Sequence, residues 1–146
     1  RVVEKNVNQN MFITMFYGLY NIATDTLHFS SAGHEPGLIY RYETNEFEEI
    51  DAKGIVLGVT DSAEYEQRQV KLHKGDMLIV CTDGVTELRK HDDSFIDLDD
   101  IKDMIVETKE HHPQDIVQYV YESLTRMQHA HKKDDLTLFI LKNTGE

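Results

Sequence analysis

Hydrophobic and polar residues alternate along the first half of the chain, as is typical of β-strands that bury one face. Turn-forming residues at Thr24-Asp25 and at Glu43-Thr44-Asn45 separate the alternating segments, and the first two segments should pair as an antiparallel hairpin. Gly and Pro residues mark 32–37 as a loop, and 51–62 lacks a helical period. The pattern predicts strands over 11–20, 27–31, 38–42 and 47–50.

The second half of the chain combines strand patterns with helical ones. Residues 64–72 alternate weakly and indicate an edge strand, whereas 77–81 are apolar on both faces and indicate a central one. A short helical turn is expected through Leu88. The remaining pattern predicts two helices and a last strand over 136–141. The first helix is capped by Asp97, and its apolar face consists of Leu98, Ile101, Met104 and Ile105. The second helix begins at Pro113, and its apolar face consists of Ile116, Val120, Leu124 and Met127. With helix-forming residues at 1–7, the order is that of an α+β fold.

Composition and charge narrow the function classes. The chain has 146 residues, which fits one domain, and a net charge of −12. Because it has no basic patch that could neutralise phosphates, nucleic acid is not expected as a partner. No apolar run approaches the roughly 20 residues of a membrane helix, and no signal peptide is recognisable. The single cysteine, Cys81, lies in an apolar run, which indicates a buried thiol and a reducing, cytoplasmic location.

The candidate chemistry lies in two acidic turns. Asp83-Gly84 follows the predicted central strand, and Asp134-Asp135 precedes the last strand. If these strands are antiparallel neighbours, Asp83 and Asp134 lie at the same edge of the sheet. Hard cations such as Mg²⁺ and Mn²⁺ take carboxylate ligands, so a metal site is one interpretation. An ordinary Asp-Gly turn and a solvated strand start are the other, and spacing alone leaves both open.

Several motifs add a family resemblance. The segment 82–87, Thr-Asp-Gly-Val-Thr-Glu, resembles the Ser-Asp-Gly-Val-x-Glu signature of the SpoIIE/RsbU branch of metal-dependent (PPM-type) protein serine/threonine phosphatases. The segment 134–137, Asp-Asp-Leu-Thr, resembles that branch's closing Asp-Asp-x-Thr. Three more segments are similar to its Phe-x-Thr-x-Phe, Ala-Gly-His-x-Pro and Gly-x-x-Leu-Gly motifs, at 12–16, 32–36 and 54–58. Each motif is weak alone, but together they follow the family's order across nearly the whole chain.

The resemblance implies a fold, a reaction and a set of site residues. The fold is part of a PPM-type β-sandwich flanked by helices. The reaction is hydrolysis of phosphoserine or phosphothreonine by water activated at two Mg²⁺ or Mn²⁺ ions. Asp83 and Asp134 correspond to metal ligands, while Asp135, Thr137 and Gly84 correspond to residues that hold the ligand geometry; no catalytic residue beyond the ligands is implied. His34 and Glu87 also match family positions, without a role that the sequence assigns.

Two motifs of the family have no match in this sequence. These are Gly-Asp-Tyr-Tyr/Phe-Asp and Asp-Val-x-Gly-x-Gly, which supply further metal ligands upstream of the Phe-x-Thr strand. The chain also begins without Met. We therefore expect 1–146 to be a single domain that forms the C-terminal portion of a SpoIIE-like phosphatase domain without its N-terminal part. Such a chain should bind metal weakly, turn over poorly or not at all, and bury its exposed strand edges in a homodimer.

The resemblance further implies partners. The substrate would be a phosphorylated anti-anti-sigma protein in a bacterial stress-response sigma-factor pathway, and an activator protein would dock on the missing N-terminal region. A non-catalytic protein-interaction module with a degenerate phosphatase fold remains the alternative. Phosphatases of the haloacid-dehalogenase type do not fit, because Cys81 occupies the position of their nucleophilic aspartate.

Overall fold

The computed structural model describes residues 11–128 and 135–146. In this part of the chain, seven strands form two antiparallel sheets and three helices lie between the sixth and seventh strands, which confirms the α+β class. The elements are β1 (Met15–Asn21), β2 (Thr26–Ala32), β3 (Gly37–Arg41), β4 (Glu46–Ile50), β5 (Arg68–Lys71), β6 (Met77–Cys81), α1 (Asp83–Thr86), α2 (Leu98–Thr108), α3 (Pro113–Met127) and β7 (Leu138–Lys142). The helix expected at 1–7 lies outside the described residues.

Residues 11–36 and 50–73 form one compact unit around the three-stranded sheet β1-β2-β5. The predicted hairpin of β1 and β2 is confirmed, with Gly18 opposite Phe29. Its turn places Asp25 in the left-handed region at φ 53°, where the carboxylate accepts a 2.9 Å hydrogen bond from the Tyr20 hydroxyl. Burial, together with this carboxylate, raises the pKa of Tyr20 to about 12. In the described sheet β5 pairs only with β2, so its predicted edge position is also confirmed.

Residues 37–49, 74–128 and 135–146 form a second compact unit. Its sheet has the order β4-β3-β6-β7, so β6 is central as its two-sided apolar pattern predicts. β6 and β7 are antiparallel neighbours, with Met77 opposite Lys142 and Cys81 opposite Leu138. The end of β6 therefore meets the start of β7 at one edge of the sheet, which is the arrangement that the acidic turns require.

The core of the second unit lies between its sheet and the helices α2 and α3. Six of the eight residues of the predicted helix faces are buried, including the completely buried Ile105 and Val120, and Leu98 and Met127 are partly buried against the same core. Burial of each large aliphatic side chain contributes about 1.5–3 kcal/mol, so this core holds the sheet edge in place. The helix starts follow from local chemistry: the Asp97 carboxylate accepts from the Asp99 amide, and His112 accepts from the Gln114 amide ahead of α3.

No helix in residues 11–128 or 135–146 is long and apolar enough to cross a membrane. The expectation of a single domain over 1–146 stays a prediction.

Candidate metal centre

The ends of β6 and β7 are tied together at Thr82 and Thr137. The Thr82 amide donates to the Thr137 carbonyl at 3.1 Å, and the Thr137 amide donates to the Thr82 hydroxyl oxygen at 3.1 Å. Asp83 follows directly as the first residue of α1, with its side chain exposed to solvent. The Asp83 carboxylate is thus carried on a chain reversal whose start is fixed by two hydrogen bonds to the neighbouring strand.

Gly84 brings the backbones of the two acidic turns into contact. A Cβ atom at this buried position would collide with the carbonyl oxygen of Asp135. The requirement for glycine here is therefore close approach rather than an unusual φ angle. The turn that carries Asp83 consequently packs against the segment that begins at Asp135.

The structure brings four of the five predicted site residues together at this edge: Asp83, Gly84, Asp135 and Thr137. Asp134, the residue before Asp135 in the sequence, lies outside the described residues. Thr137 contributes its backbone amide and carbonyl to the contact with Thr82, and Asp135 contributes its backbone carbonyl. Asp135 and Thr137 therefore contact the Asp83 turn through their backbone atoms.

The donor set matches a hard cation but is incomplete. Asp83 supplies carboxylate oxygens, and Cys81, at the end of β6, is buried and forms no disulfide. Among the described residues, no group of three or more His, Cys, Asp or Glu side chains is placed so that it could hold a metal ion. Since Mg²⁺ and Mn²⁺ sites need several oxygen ligands, the described residues fit one side of such a site.

Glu87 and His34, the other two residues that match family positions, lie in different units. Glu87 is exposed, and its backbone amide closes α1 by donating to the Asp83 carbonyl at 2.9 Å. His34 belongs to the first unit, where its ring nitrogen Nδ1 is 3.4 Å from the Thr14 hydroxyl. Neither observation assigns chemistry to the side chain.

Residues 89–96 form an exposed hairpin directly after α1 that the sequence analysis did not predict. Arg89 pairs with Phe95, and the Ile96 amide donates to the Leu88 carbonyl at 2.8 Å. Asp93 occupies the left-handed region at φ 65°. Asp92, Asp93 and Ser94 are turn-forming residues, and this run could have predicted the hairpin from the sequence.

We expect Thr82→Val to lower the free energy of unfolding by about 1 kcal/mol, because the Thr137 amide loses its acceptor. Urea denaturation followed by circular dichroism measures this change. Thr82→Ser keeps the hydroxyl and serves as the control, so it should retain most of the stability. Equal losses in the two variants would contradict a role for this hydrogen bond.

The sequence matches a known protein family over nearly its whole length. The family model "Stage II sporulation protein E (SpoIIE)" matches residues 1–144. The chain is 42% identical over 142 residues to the phosphoserine phosphatase RsbU of Bacillus subtilis (strain 168). This alignment covers 97% of the chain and 42% of RsbU, so the chain spans less than half the length of this relative.

Solved structures show the same fold. The SiaA-PP2C domain of Pseudomonas aeruginosa superposes with a TM-score of 0.74 at 16% identity, over 95% of this chain and 55% of that chain. The phosphatase domain of the cell fate determinant SpoIIE from Bacillus subtilis, presoaked with Mn, gives a TM-score of 0.62 at 22% identity over 88% and 56%. The observed α+β arrangement is therefore that of PP2C phosphatase domains, as the motifs predicted.

Proposed function

This chain belongs to the SpoIIE family, and from that premise we propose that it forms the Asp83 side of the metal centre in a protein serine/threonine phosphatase. The observation that carries the proposal is the contact between the Asp83-Gly84 turn and the Asp135 backbone at the ends of neighbouring strands. The 42% identity to a phosphoserine phosphatase supports the reaction class. The reaction is hydrolysis of a phosphoserine or phosphothreonine ester on a regulatory protein.

Asp83 and Asp134 are the proposed ligands of Mn²⁺ or Mg²⁺. A relative with the same fold was presoaked with Mn, which supports this choice of cation. When bound, such ions supply Lewis-acid activation of water and of the phosphoryl oxygens. Gly84, Asp135 and Thr137 hold the ligand-bearing turns at the sheet edge, since their backbone contacts fix the start of α1.

The proposed role of Asp83 is to present its carboxylate to a cation directly after the central strand β6. The two hydrogen bonds between Thr82 and Thr137 limit the movement of that turn, so little reorganisation is needed when a cation binds. Cys81 is buried and cannot present its thiol to a protein substrate. As the family resemblance implies, water is the proposed nucleophile, and the phosphoryl group passes to it without a covalent enzyme intermediate.

The chain alone is proposed to bind cations weakly and to turn over slowly. The described residues contain no group of three or more His, Cys, Asp or Glu side chains that could hold a metal ion, whereas a dinuclear centre needs several carboxylates. The proposed substrate is a serine-phosphorylated anti-anti-sigma protein in a cytoplasmic stress-response pathway, in keeping with the similarity to RsbU. The proposed activator protein would bind outside the 146 residues.

Release of inorganic phosphate from a serine-phosphorylated anti-anti-sigma protein tests this function. Full-length Bacillus subtilis RsbU is the positive control. We expect slow release by this chain that requires Mn²⁺ and stops when EDTA removes the metal. Release that continues in EDTA would contradict a metal-dependent mechanism. No release, together with no Mn²⁺ binding by calorimetry, would favour the non-catalytic interaction module.

An apolar stripe on β1 supports the proposal that the chain self-associates. Met15, Tyr17 and Leu19 point to one face of this strand and are 44%, 57% and 59% exposed. In the described sheet β1 pairs only with β2, so its outer edge is unpaired there. We expect a homodimer by light scattering at high protein concentration, and a Leu19→Lys variant that shifts toward monomer. A wild-type monomer under these conditions would contradict the proposal.

A further inference from the structure

The exposed hairpin 89–96 is held rigidly within the second unit. Inside it, the Lys90 amide donates to the Ser94 carbonyl at 2.7 Å, and the Asp92 carboxylate accepts from the Ser94 hydroxyl at 2.6 Å. The ammonium group of Lys90 lies 2.7 Å from the Asp100 carboxylate at the start of α2. On the other side, the His91 ring nitrogen Nε2 is 3.1 Å from the Arg126 carbonyl in α3. The hairpin therefore has a defined shape despite its exposure.

This rigid hairpin presents a cation and an aromatic ring to solvent. The guanidinium carbon of Arg89 lies 5.0 Å from the centroid of the Phe95 ring, and Phe95 is 56% exposed. Within residues 11–128 and 135–146, no carboxylate pairs with Arg89, whereas its neighbour Lys90 is neutralised by Asp100. Arginine and aromatic side chains dominate the energetics of protein interfaces, and a stacked arginine loses little entropy on binding.

Arg89 lies close to the proposed metal ligand Asp83 in the sequence. It lies six residues after Asp83, separated from it only by the single turn of α1 and by Glu87 and Leu88. The chain carries a net charge of −12, and a phosphoprotein substrate brings a further charge of roughly −1.5 to −2 at its modified residue. An acidic enzyme needs local positive charge beside its site to counter this repulsion. Arg89 supplies such a charge.

We propose that the hairpin 89–96 is the docking surface for the phosphoprotein substrate beside the metal centre, with Arg89 and Phe95 as the contact pair. This inference rests on the proposed function. Arg89 binds acidic side chains on the face of the substrate that surrounds the phosphoserine, and Phe95 covers an apolar group next to them. Because both side chains contact the protein rather than the phosphoryl group, they set specificity for the protein and contribute nothing to a small phosphate ester.

The test measures binding without turnover. The full chain carrying Asp83→Asn is titrated into a fluorescently labelled, serine-phosphorylated anti-anti-sigma protein, and anisotropy gives Kd. We expect Arg89→Gln and Phe95→Ala each to raise Kd about tenfold, and Arg89→Lys to give an intermediate value. Arg89→Gln should also flatten the salt dependence of Kd.

Matched controls separate docking from general effects. Tyr121→Ala removes a 52% exposed aromatic from α3, and Lys102→Gln removes a cation that lies 5.7 Å from the Phe47 ring. Both should change Kd less than about twofold. Thermal denaturation of every variant shows that it is folded.

The outcomes discriminate between the docking surface and the proposed function. An unchanged Kd in Arg89→Gln and Phe95→Ala, or no binding of the phosphoprotein by any form, would overturn the docking surface. In chains that retain Asp83, activity toward p-nitrophenyl phosphate gives a further test. If Arg89→Gln lowers kcat/KM toward this small ester about tenfold, the docking surface is overturned, because Arg89 would then bind phosphate directly. If the chain binds the phosphoprotein through Arg89 but releases no phosphate, the docking surface stands and the enzymatic proposal fails.

Discussion

Replacing Asp83 with asparagine is expected to lower Mn²⁺-dependent phosphate release by about a thousandfold. Asparagine keeps the shape of the side chain but loses the negative charge and one ligand oxygen. Among the described residues, no group of three or more His, Cys, Asp or Glu side chains could hold the ion in its place. The free energy of unfolding should barely change, because the Asp83 carboxylate is exposed and makes no side-chain hydrogen bond in the described part of the chain.

Phosphate release and Mn²⁺ titration calorimetry together check this prediction. Asp103→Asn is the matched control, because Asp103 is an exposed aspartate on α2 of the same unit. The control should retain both activity and Mn²⁺ affinity. If Asp83→Asn also retains them, or if Asp103→Asn loses them equally, Asp83 is not a metal ligand.

Replacing Asp76 with alanine is expected to lower the free energy of unfolding by about 3–5 kcal/mol. Asp76 is 2% exposed and lies immediately before β6. One of its carboxylate oxygens accepts from the Tyr42 amide at 3.0 Å, and the other accepts from the Arg41 guanidinium at 2.8 Å. Removing the carboxylate leaves a largely buried cation and a backbone amide without this acceptor, which is more costly than losing the attraction alone.

Urea denaturation of Asp76→Ala and of Glu48→Ala tests this account. Glu48 binds the same guanidinium at 3.0 Å, but its side chain is 52% exposed. Solvent screens that second pair, so its loss should lower stability by less than about 1 kcal/mol. Equal losses in the two variants would show that burial does not decide the energetics of this network.

The sequence determined the secondary structure wherever local chemistry was unambiguous. The apolar run Met77–Cys81 became the central strand, and the Asp97 and Pro113 starts became α2 and α3. Turn residues such as Asn45, at φ 56°, separated paired strands as expected. These features depend on neighbours a few residues away, because periodicity and capping are local properties.

The sequence predicted the first and last residues of the strands less well than it predicted the strands themselves. Alternation begins at Met11, but β1 begins at Met15, because the residues before it make an isolated pairing of Ile13 with Leu57 instead of joining the β1–β2 ladder. Likewise β7 begins at Leu138 rather than at Leu136. Where a strand starts depends on the partner that faces it, and this partner is distant in sequence.

The motifs also determined the family and the identity of Asp83 as a candidate ligand. Only the tertiary structure revealed the burial of Asp76 against Arg41, the close approach of Gly84 to Asp135, and the mounting of Arg89 over Phe95. In the sequence, Lys74-Gly75-Asp76 reads as an ordinary solvated turn. The first two contacts join residues about 35 and 51 positions apart, and all three depend on strand register and helix packing, which set each group's neighbours and its exposure to water.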